Sequence, residues 1–237
     1  MPAIITSMTT LILLPGMDGT GTLYEPLHQA LNGKCKLLVM TYPVDQTMGY
    51  ADLEALVKSQ LPMDEDYVLL GESFSGPIAI SIAATQPVRL KALILCATFA
   101  RNPYPWLAVS RYALPFLPTR LAPLSVLSYL LLGRFSSKEL RTQLADALVQ
   151  VSPISLKARL YAVLSCDVTE KLKAIQVPVL YLQATRDRLV PASAHADIKR
   201  KLHEMETCKY DAPHFLLQTK ADEVVNDILR FTSETKA

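Results

Sequence analysis

Short, nearly uninterrupted apolar runs alternate along this chain with longer stretches of mixed polarity. Leu11–Leu14, Lys36–Met40, Tyr67–Leu70, Leu90–Cys96, Val177–Gln183 and Glu206–Tyr210 have the length and the aliphatic or β-branched content of buried strands. The stretches between them read as helices over about Leu23–Leu31, Ala51–Leu61, Ile78–Ala84, Ala192–Leu202 and Ala221–Phe231. In the second of these, Leu53, Leu56, Val57 and Leu61 fall on one helical face. Apolar strands alternating with helices predict an α/β fold: a mostly parallel six-stranded sheet with helices on both faces.

The rhythm breaks between the fourth and fifth strands. Residues 102–166 contain no convincing strand, carry Pro103, Pro105, Pro115, Pro118, Pro123 and Pro153, and have apolar runs of helical length. The expected organisation is therefore a core of residues 1–101 and 167–237, with 102–166 inserted as a helical lid of about four short helices. From Arg101 to Lys173 there are ten Lys/Arg against four Asp/Glu, so the insertion is cationic while the rest of the chain is acidic.

Composition narrows the class of protein. Half of the 237 residues are apolar, enough for one compact core with an embedded subdomain. A net charge of +2 with no basic tract gives no footprint for nucleic acid. Cys35, Cys96, Cys166 and Cys208 are far apart, without paired ligand spacing, and read as reduced thiols of a cytoplasmic protein. The apolar run at Leu11–Leu14 is too short to span a membrane, and the sequence indicates no metal and no cofactor.

The densest chemistry lies at Gly71-Glu72-Ser73-Phe74-Ser75-Gly76, between a strand and a small-residue helix. Small residues on either side of a serine allow the tight turn that lifts its hydroxyl into the open, the pattern of a nucleophile elbow. A serine needs a base to take its proton, and the base needs an orienting carboxylate. Of four histidines, His28, His195 and His203 fall in or at the end of predicted helices. His214 follows the last strand, at the carboxyl edge where Ser73 also sits. Asp187 follows the fifth strand at the same edge and is favoured as the carboxylate over Asp211, three residues before His214. The loop Gly16-Met17-Asp18-Gly19-Thr20-Gly21 joins a strand to a helix as a phosphate cradle does. Tyr24 stands where a dinucleotide site needs its third glycine, however, and the Walker lysine is missing.

These segments together resemble the α/β-hydrolase superfamily over nearly the whole chain. Gly-Glu-Ser-Phe-Ser is similar to its nucleophile motif, Arg-Asp-Arg-Leu-Val-Pro to its acid loop, and Ala-Pro-His-Phe to its histidine turn. Leu-Leu-Pro-Gly-Met-Asp-Gly-Thr-Gly resembles its oxyanion loop. Small lidded serine esterases, including the pimeloyl-carrier-protein methyl ester esterases, are the nearest kind. The resemblance implies a Ser73–Asp187–His214 triad and an oxyanion hole formed by the backbone N–H groups of Met17 and Phe74, whose side chains would bear on the acyl pocket. Two positions depart from the pattern: Ser75 replaces the second glycine of the elbow, and Pro15 replaces a histidine before Gly16. Only ten residues precede Leu11, too few for the two extra strands usual in the family, so a trimmed sheet of order 2-1-3-4-5-6 is expected.

The function these readings favour is hydrolysis of a small-molecule carboxylic ester through an acyl-serine intermediate. Aromatic and aliphatic lid residues would wall the pocket, with Trp106, Tyr112 and Phe116 as substrate-binding candidates and Leu107, Leu114, Leu117 and Leu130 beside them. The cationic insertion favours an alternative: a thioesterase or acyltransferase that takes acyl groups from coenzyme A or from an acyl carrier protein as partner. A non-catalytic ligand-binding protein on the same scaffold is the third reading.

Overall fold

The computed structural model describes residues 10–112 and 123–235. Six strands, β1 (Thr10–Leu14), β2 (Lys36–Val39), β3 (Tyr67–Glu72), β4 (Leu90–Cys96), β5 (Val179–Ala184) and β6 (Glu206–Tyr210), form one sheet in the order β2-β1-β3-β4-β5-β6. Every neighbouring pair is parallel. The expected order and strand count therefore stand, with the mostly parallel sheet wholly parallel. β5 starts at Val179 rather than Val177. Pro178 has no N–H for the ladder, although its carbonyl still accepts from the Leu93 amide at 3.0 Å.

Both faces of the sheet are covered, which is why its central strands lack the polar alternation of an exposed sheet. Ile12, Leu14, Leu69, Leu93, Leu95 and Tyr181 point to one side. There they meet Leu53 and Val57 of α2 (Tyr50–Gln60), Ile78 and Ile82 of α3 (Gly76–Ala84) and Ile198 of α7 (Ala192–Lys199). Leu11, Leu13, Val68, Leu70, Ile94 and Leu182 point to the other. Their partners are Leu27 and Leu31 of α1 (Glu25–Leu31), Leu216 of the short α8 (Leu216–Thr219) and Val224, Ile228 and Phe231 of α9 (Ala221–Glu234).

Between β4 and β5 the chain leaves the sheet as helices. A 3-10 segment over Pro105–Tyr112 is followed, among the described residues, by α4 (Leu124–Leu131), α5 (Lys138–Gln150) and α6 (Pro153–Leu164). Serine caps start the last two. Ser137 Oγ accepts from the Leu140 amide and Ser152 Oγ from the Ser155 amide, both at 3.2 Å, and Pro153 occupies the first turn of α6. The two ends of the excursion meet at an antiparallel bridge between Arg101 and Asp167. The Asn102 amide donates to Cys166 O at 2.9 Å and the Val168 amide to Ala100 O at 2.7 Å, which fastens the stem to the sheet edge.

Candidate active site

The parallel sheet sends every strand's carboxyl end to one edge, and three loops there bring Ser73, Asp187 and His214 together. Ser73 directly follows β3 with φ 48°, a left-handed conformation costly for a residue with a Cβ, on the order of 1–3 kcal/mol. The surrounding turn has the close contacts that keep it there. A Cβ on Gly71 would lie 2.7 Å from that of Ala79 and 2.9 Å from Ser75 O, and one on Gly76 would lie 1.9 Å from Thr98 Oγ1. The glycine that lets the elbow press against β4 is thus Gly76, and Thr98 Oγ1 donates to the Ser73 carbonyl. Ser75 is fully buried, and its hydroxyl donates to the Pro15 carbonyl. The Tyr42 hydroxyl, 2.6 Å from Ser75 Oγ, is then the donor to it. Where the resemblance puts glycine, this chain has a tie between the Ser73 turn and the loop after β1.

Ser73 Oγ lies 2.8 Å from His214 Nε2, and His214 Nδ1 lies 2.7 Å from Asp187 Oδ2. Asp187 Oδ1 accepts from the Leu189 and Val190 amides, both at 2.8 Å, which fixes the carboxylate in its loop. The loops that carry Asp187 and His214 are tied to each other by the Thr185 amide on Tyr210 O and the Arg186 amide on Ala212 O, both at 2.9 Å. The His214 side chain is buried. Burial alone would lower its pKa, but the Asp187 charge and hydrogen bond, with the Glu72 charge behind them, raise it above the ordinary histidine value. Asp211 lies on the surface in ion pairs with Arg134 and Arg186 and makes no bond to the imidazole. His28 and His195 sit on α1 and α7, and His203 lies just beyond α7.

Beside Ser73 and His214 is a cavity of about 160 Å³. Leu23, Leu189 and Phe215 of the sheet layer and Leu127, Leu131, Leu144, Leu148 and Leu156 of the insertion make its apolar wall. Gly16, Met17, Asp18, Glu72 and Gln218 complete it at the polar end.

Several expected positions are not where the sequence reading puts them. Trp106 and Tyr112 are 75% and 65% exposed and do not line the cavity, because their 3-10 segment packs against α6 and leaves both rings to solvent. Tyr104 and Trp106 meet edge to face, and Arg111 stacks on Tyr112. Leu107 and Leu130 do not line the cavity either, and Leu114, Phe116 and Leu117 lie outside the described residues. Met17 does line it. The Phe74 ring turns into the core instead, stacked on Tyr50 at 4.9 Å and edge-on to Tyr42 at 6.4 Å.

Two buried groups at the site went unread in the sequence. Glu72 is 6% exposed and accepts from Gln218 Nε2 at 3.1 Å. Burial raises its pKa to about 7 against the opposing effects of Gln218, His214 and Tyr24. Arg159, on α6, is 1% exposed and donates to Met17 O at 2.8 Å, Asp18 O at 2.7 Å and Pro43 O at 2.9 Å. Among the described residues, no group of three or more His, Cys, Asp or Glu side chains could hold a metal, and no helix is long and apolar enough to cross a membrane.

Comparison with known proteins agrees with this architecture. A thermophilic esterase from Thermogutta terrifontis, solved with malate bound, superposes with a TM-score of 0.83 at 19% identity, covering 97% of this chain and 91% of that one. The enol-lactonase of Burkholderia xenovorans gives 0.74 at 16% identity, covering 95% and 92%. At these identities the likeness is one of fold. In sequence, the chain is 26% identical over 247 residues to phytyl ester synthase 1, chloroplastic, of Arabidopsis thaliana. That match takes in 88% of this chain but about a third, 34%, of the plant protein. The model of the hydrolase family described as serine aminopeptidase, S33, matches residues 44–215, from the loop after β2 to just past His214. With that match spanning most of the chain and the fold shared with solved hydrolases, the protein belongs to this family of the α/β-hydrolase superfamily.

Proposed function

We propose that this protein is a serine esterase that cleaves carboxylic esters of apolar acyl groups through an acyl-Ser73 intermediate. The observation that carries this reading is the hydrogen-bonded line from Ser73 Oγ through His214 to Asp187, buried beside a leucine-walled cavity. Ser73 attacks the ester carbonyl while His214 takes its proton. The resulting imidazolium is held by Asp187 and returns the proton to the leaving alcohol. The Met17 and Phe74 amides receive the charge on the carbonyl oxygen, where loss of one such donor costs about 10²–10³ in turnover. Water, activated by the same histidine, then releases the acid. Residues 102–166 act as a lid whose leucines hold the acyl chain. The four free cysteines fit a reducing compartment such as the cytoplasm.

The sequence likeness to a protein named for ester synthesis favours a second fate for the acyl-enzyme, transfer to an alcohol rather than to water. The apolar pocket wall is compatible with both. An acyl carrier protein or coenzyme A as donor would use the cationic face of the insertion.

The test combines a serine-directed phosphonate with a panel of p-nitrophenyl esters of rising chain length. Wild type is expected to be labelled at Ser73 and to hydrolyse the panel, whereas Ser73→Ala folds, takes no label and keeps only residual turnover. Turnover by Ser73→Ala above a few per cent of wild type would place the nucleophile elsewhere, with Ser75 disfavoured by its burial and its bond to Pro15. Product analysis with a long-chain alcohol present separates hydrolysis from transfer.

A further inference from the structure

The loop that precedes α1 has an unusually complete set of partners for its carbonyl groups. Leu14 O accepts from the Tyr24 hydroxyl at 2.6 Å, Pro15 O from Ser75 Oγ, and Gly16 O from the Gly19 amide at 3.1 Å. Gly19 O accepts from the Tyr42 amide at 2.8 Å. The two carbonyls at the corner of the turn, Met17 O and Asp18 O, both accept from Nη1 of Arg159, at 2.8 and 2.7 Å. Arg159 belongs not to the sheet layer but to α6 of the insertion, 142 residues further along the chain.

Delivering a guanidinium to this place is costly. Burial lowers the Arg159 pKa, with the charge of Asp18 opposing, and a desolvated cation is tolerated only where its N–H groups find acceptors. It finds them in backbone carbonyls, and the chain is shaped to admit it. Gly19 has φ +71°, and a Cβ there would lie 2.6 Å from Nη1 and 3.0 Å from the guanidinium carbon. The guanidinium also lies over the Tyr42 ring, 5.7 Å from its centre, and Tyr42 is the residue that bonds Ser75 of the elbow. Helix α6 is itself pinned where it starts. The Ser152 amide donates to Val44 O and Ser155 Oγ to Gln46 O, both at 2.8 Å.

We infer that Arg159 is a positioning residue for the oxyanion hole: by holding Met17 O and Asp18 O it fixes the turn that presents the Met17 N–H to the reacting carbonyl. The inference rests on the acyl-serine reading given above. The Met17 amide is useful only if it already points where the oxyanion develops, because a donor that must reorient during reaction loses its advantage. The inference also gives the insertion a part in the chemical step. A lid that merely roofs the pocket would govern which substrate enters, whereas this one supplies a clamp on the transition-state donor.

The test uses Arg159→Met and Arg159→Lys in the full chain, with thermal unfolding recorded for each. Arg159→Met is expected to lower kcat on p-nitrophenyl butyrate by about 10²-fold, the scale of losing one oxyanion donor, with KM within a few-fold of wild type. The inhibition constant of an alkyl trifluoromethyl ketone, whose adduct carries the oxyanion, should rise in proportion. Affinity for the matching alcohol, which fills the pocket without reacting, should not. Arg159→Lys keeps a cation with one compact donor and should recover part of the loss, and it serves as the measure if the methionine variant does not fold. The acid limb of kcat/KM, which reports His214, should stay in place in both. A loss confined to KM, or equal weakening of ketone and alcohol, would show that Arg159 only shapes the pocket. A kcat within a few-fold of wild type in folded Arg159→Met would overturn the proposal. Failure of the acyl-serine reading is told apart by Ser73: a Ser73→Ala protein that still turns over removes the premise, whereas an inactive one alongside an unaffected Arg159→Met removes this inference alone.

Discussion

Two aspartates precede His214 in the chain, and their surroundings assign them opposite consequences. The Asp187 side chain is buried and bonded to the imidazole and to two amides, while Asp211 is shared by two exposed arginines. Asp187→Asn should lower kcat by about 10⁴-fold, because the amide favours the wrong imidazole tautomer. Asp211→Asn loses only exposed, solvent-screened ion pairs and should leave kcat within a few-fold. Glu72 gives a test by pH. Its charge helps raise the His214 pKa, so Glu72→Gln should move the acid limb of kcat/KM to lower pH. Burial raises its own pKa in the folded state to about 7, above the ordinary glutamate value of 4.5, so the folded state holds its proton longer than the unfolded one. Wild type should therefore lose stability as pH rises from about 4.5 to 7, by up to about 3 kcal/mol, and Glu72→Gln should lose less, as read by urea melts across that range. Neither Glu72 nor Arg159 was legible beforehand. Glu72 reads as a spacer between Gly71 and Ser73, and Arg159 as one of ten cations on a solvated helical surface, since burial of a charge leaves no periodic mark in sequence. Ser73, Asp187 and His214 were legible as candidates because each lies within four residues of a strand's carboxyl end, and a parallel sheet gathers such positions at one edge.

Among the elements, the strands carried their identity openly, because a strand covered on both faces must be apolar without interruption. Helix ends were read less well. The first begins with a 3-10 turn over Thr22–Tyr24 before α1 starts at Glu25 with Pro26 in its first turn, and α9 runs three residues past Phe231, where no apolar residue marks its end. The turn joining β3 to α3 shows how far small-residue reasoning reaches. It located the elbow through Gly71 and Ser75, the small residues two positions either side of Ser73, and Gly71 is indeed tightly packed. It passed over Gly76, where a Cβ would run into Thr98. Gly76→Ala drives a methyl into Thr98 and should destabilise the fold by about 1–3 kcal/mol or more, with loss of Ser73 labelling because the elbow must shift. Ser75→Ala, a smaller change, strands the buried Pro15 carbonyl and Tyr42 hydroxyl. It should cost about 1–3 kcal/mol in a denaturant melt, the penalty of a buried polar group left without its partner.

At the scale of the whole molecule, the pocket belongs to neither layer alone. Leu127, Leu131, Leu144, Leu148 and Leu156 face Leu23, Leu189 and Phe215 across it, and the Phe215 amide donates to Leu131 O at 3.1 Å, so the two layers are sewn together beside His214. The sequence suggested a wall of aromatic and aliphatic residues drawn from the first half of the insertion, because the large rings and their leucine neighbours are conspicuous there. The structure uses leucines one helical turn apart on α4 and α5, whose spacing could equally have served an insertion core. Leucines 127 and 131, and again 144 and 148, are i, i+4 pairs, so each helix gives the cavity a single stripe. Such a wall has no hydrogen-bonding features by which to reject a substrate, and its selectivity must come from volume. Each methylene accepted or refused is then worth about 1–3 kcal/mol. Leu148→Phe adds bulk to a cavity of about 160 Å³ and should shorten the preferred acyl chain. Across p-nitrophenyl esters from acetate to decanoate, the ratio of kcat/KM for the longest to the shortest ester should fall by about tenfold or more. Leu148→Ala should raise the same ratio, provided the enlarged cavity does not collapse. Unchanged chain-length profiles in both variants would mean that the acyl group lies outside this cavity, and that the leucine seam serves only to hold the insertion on the sheet.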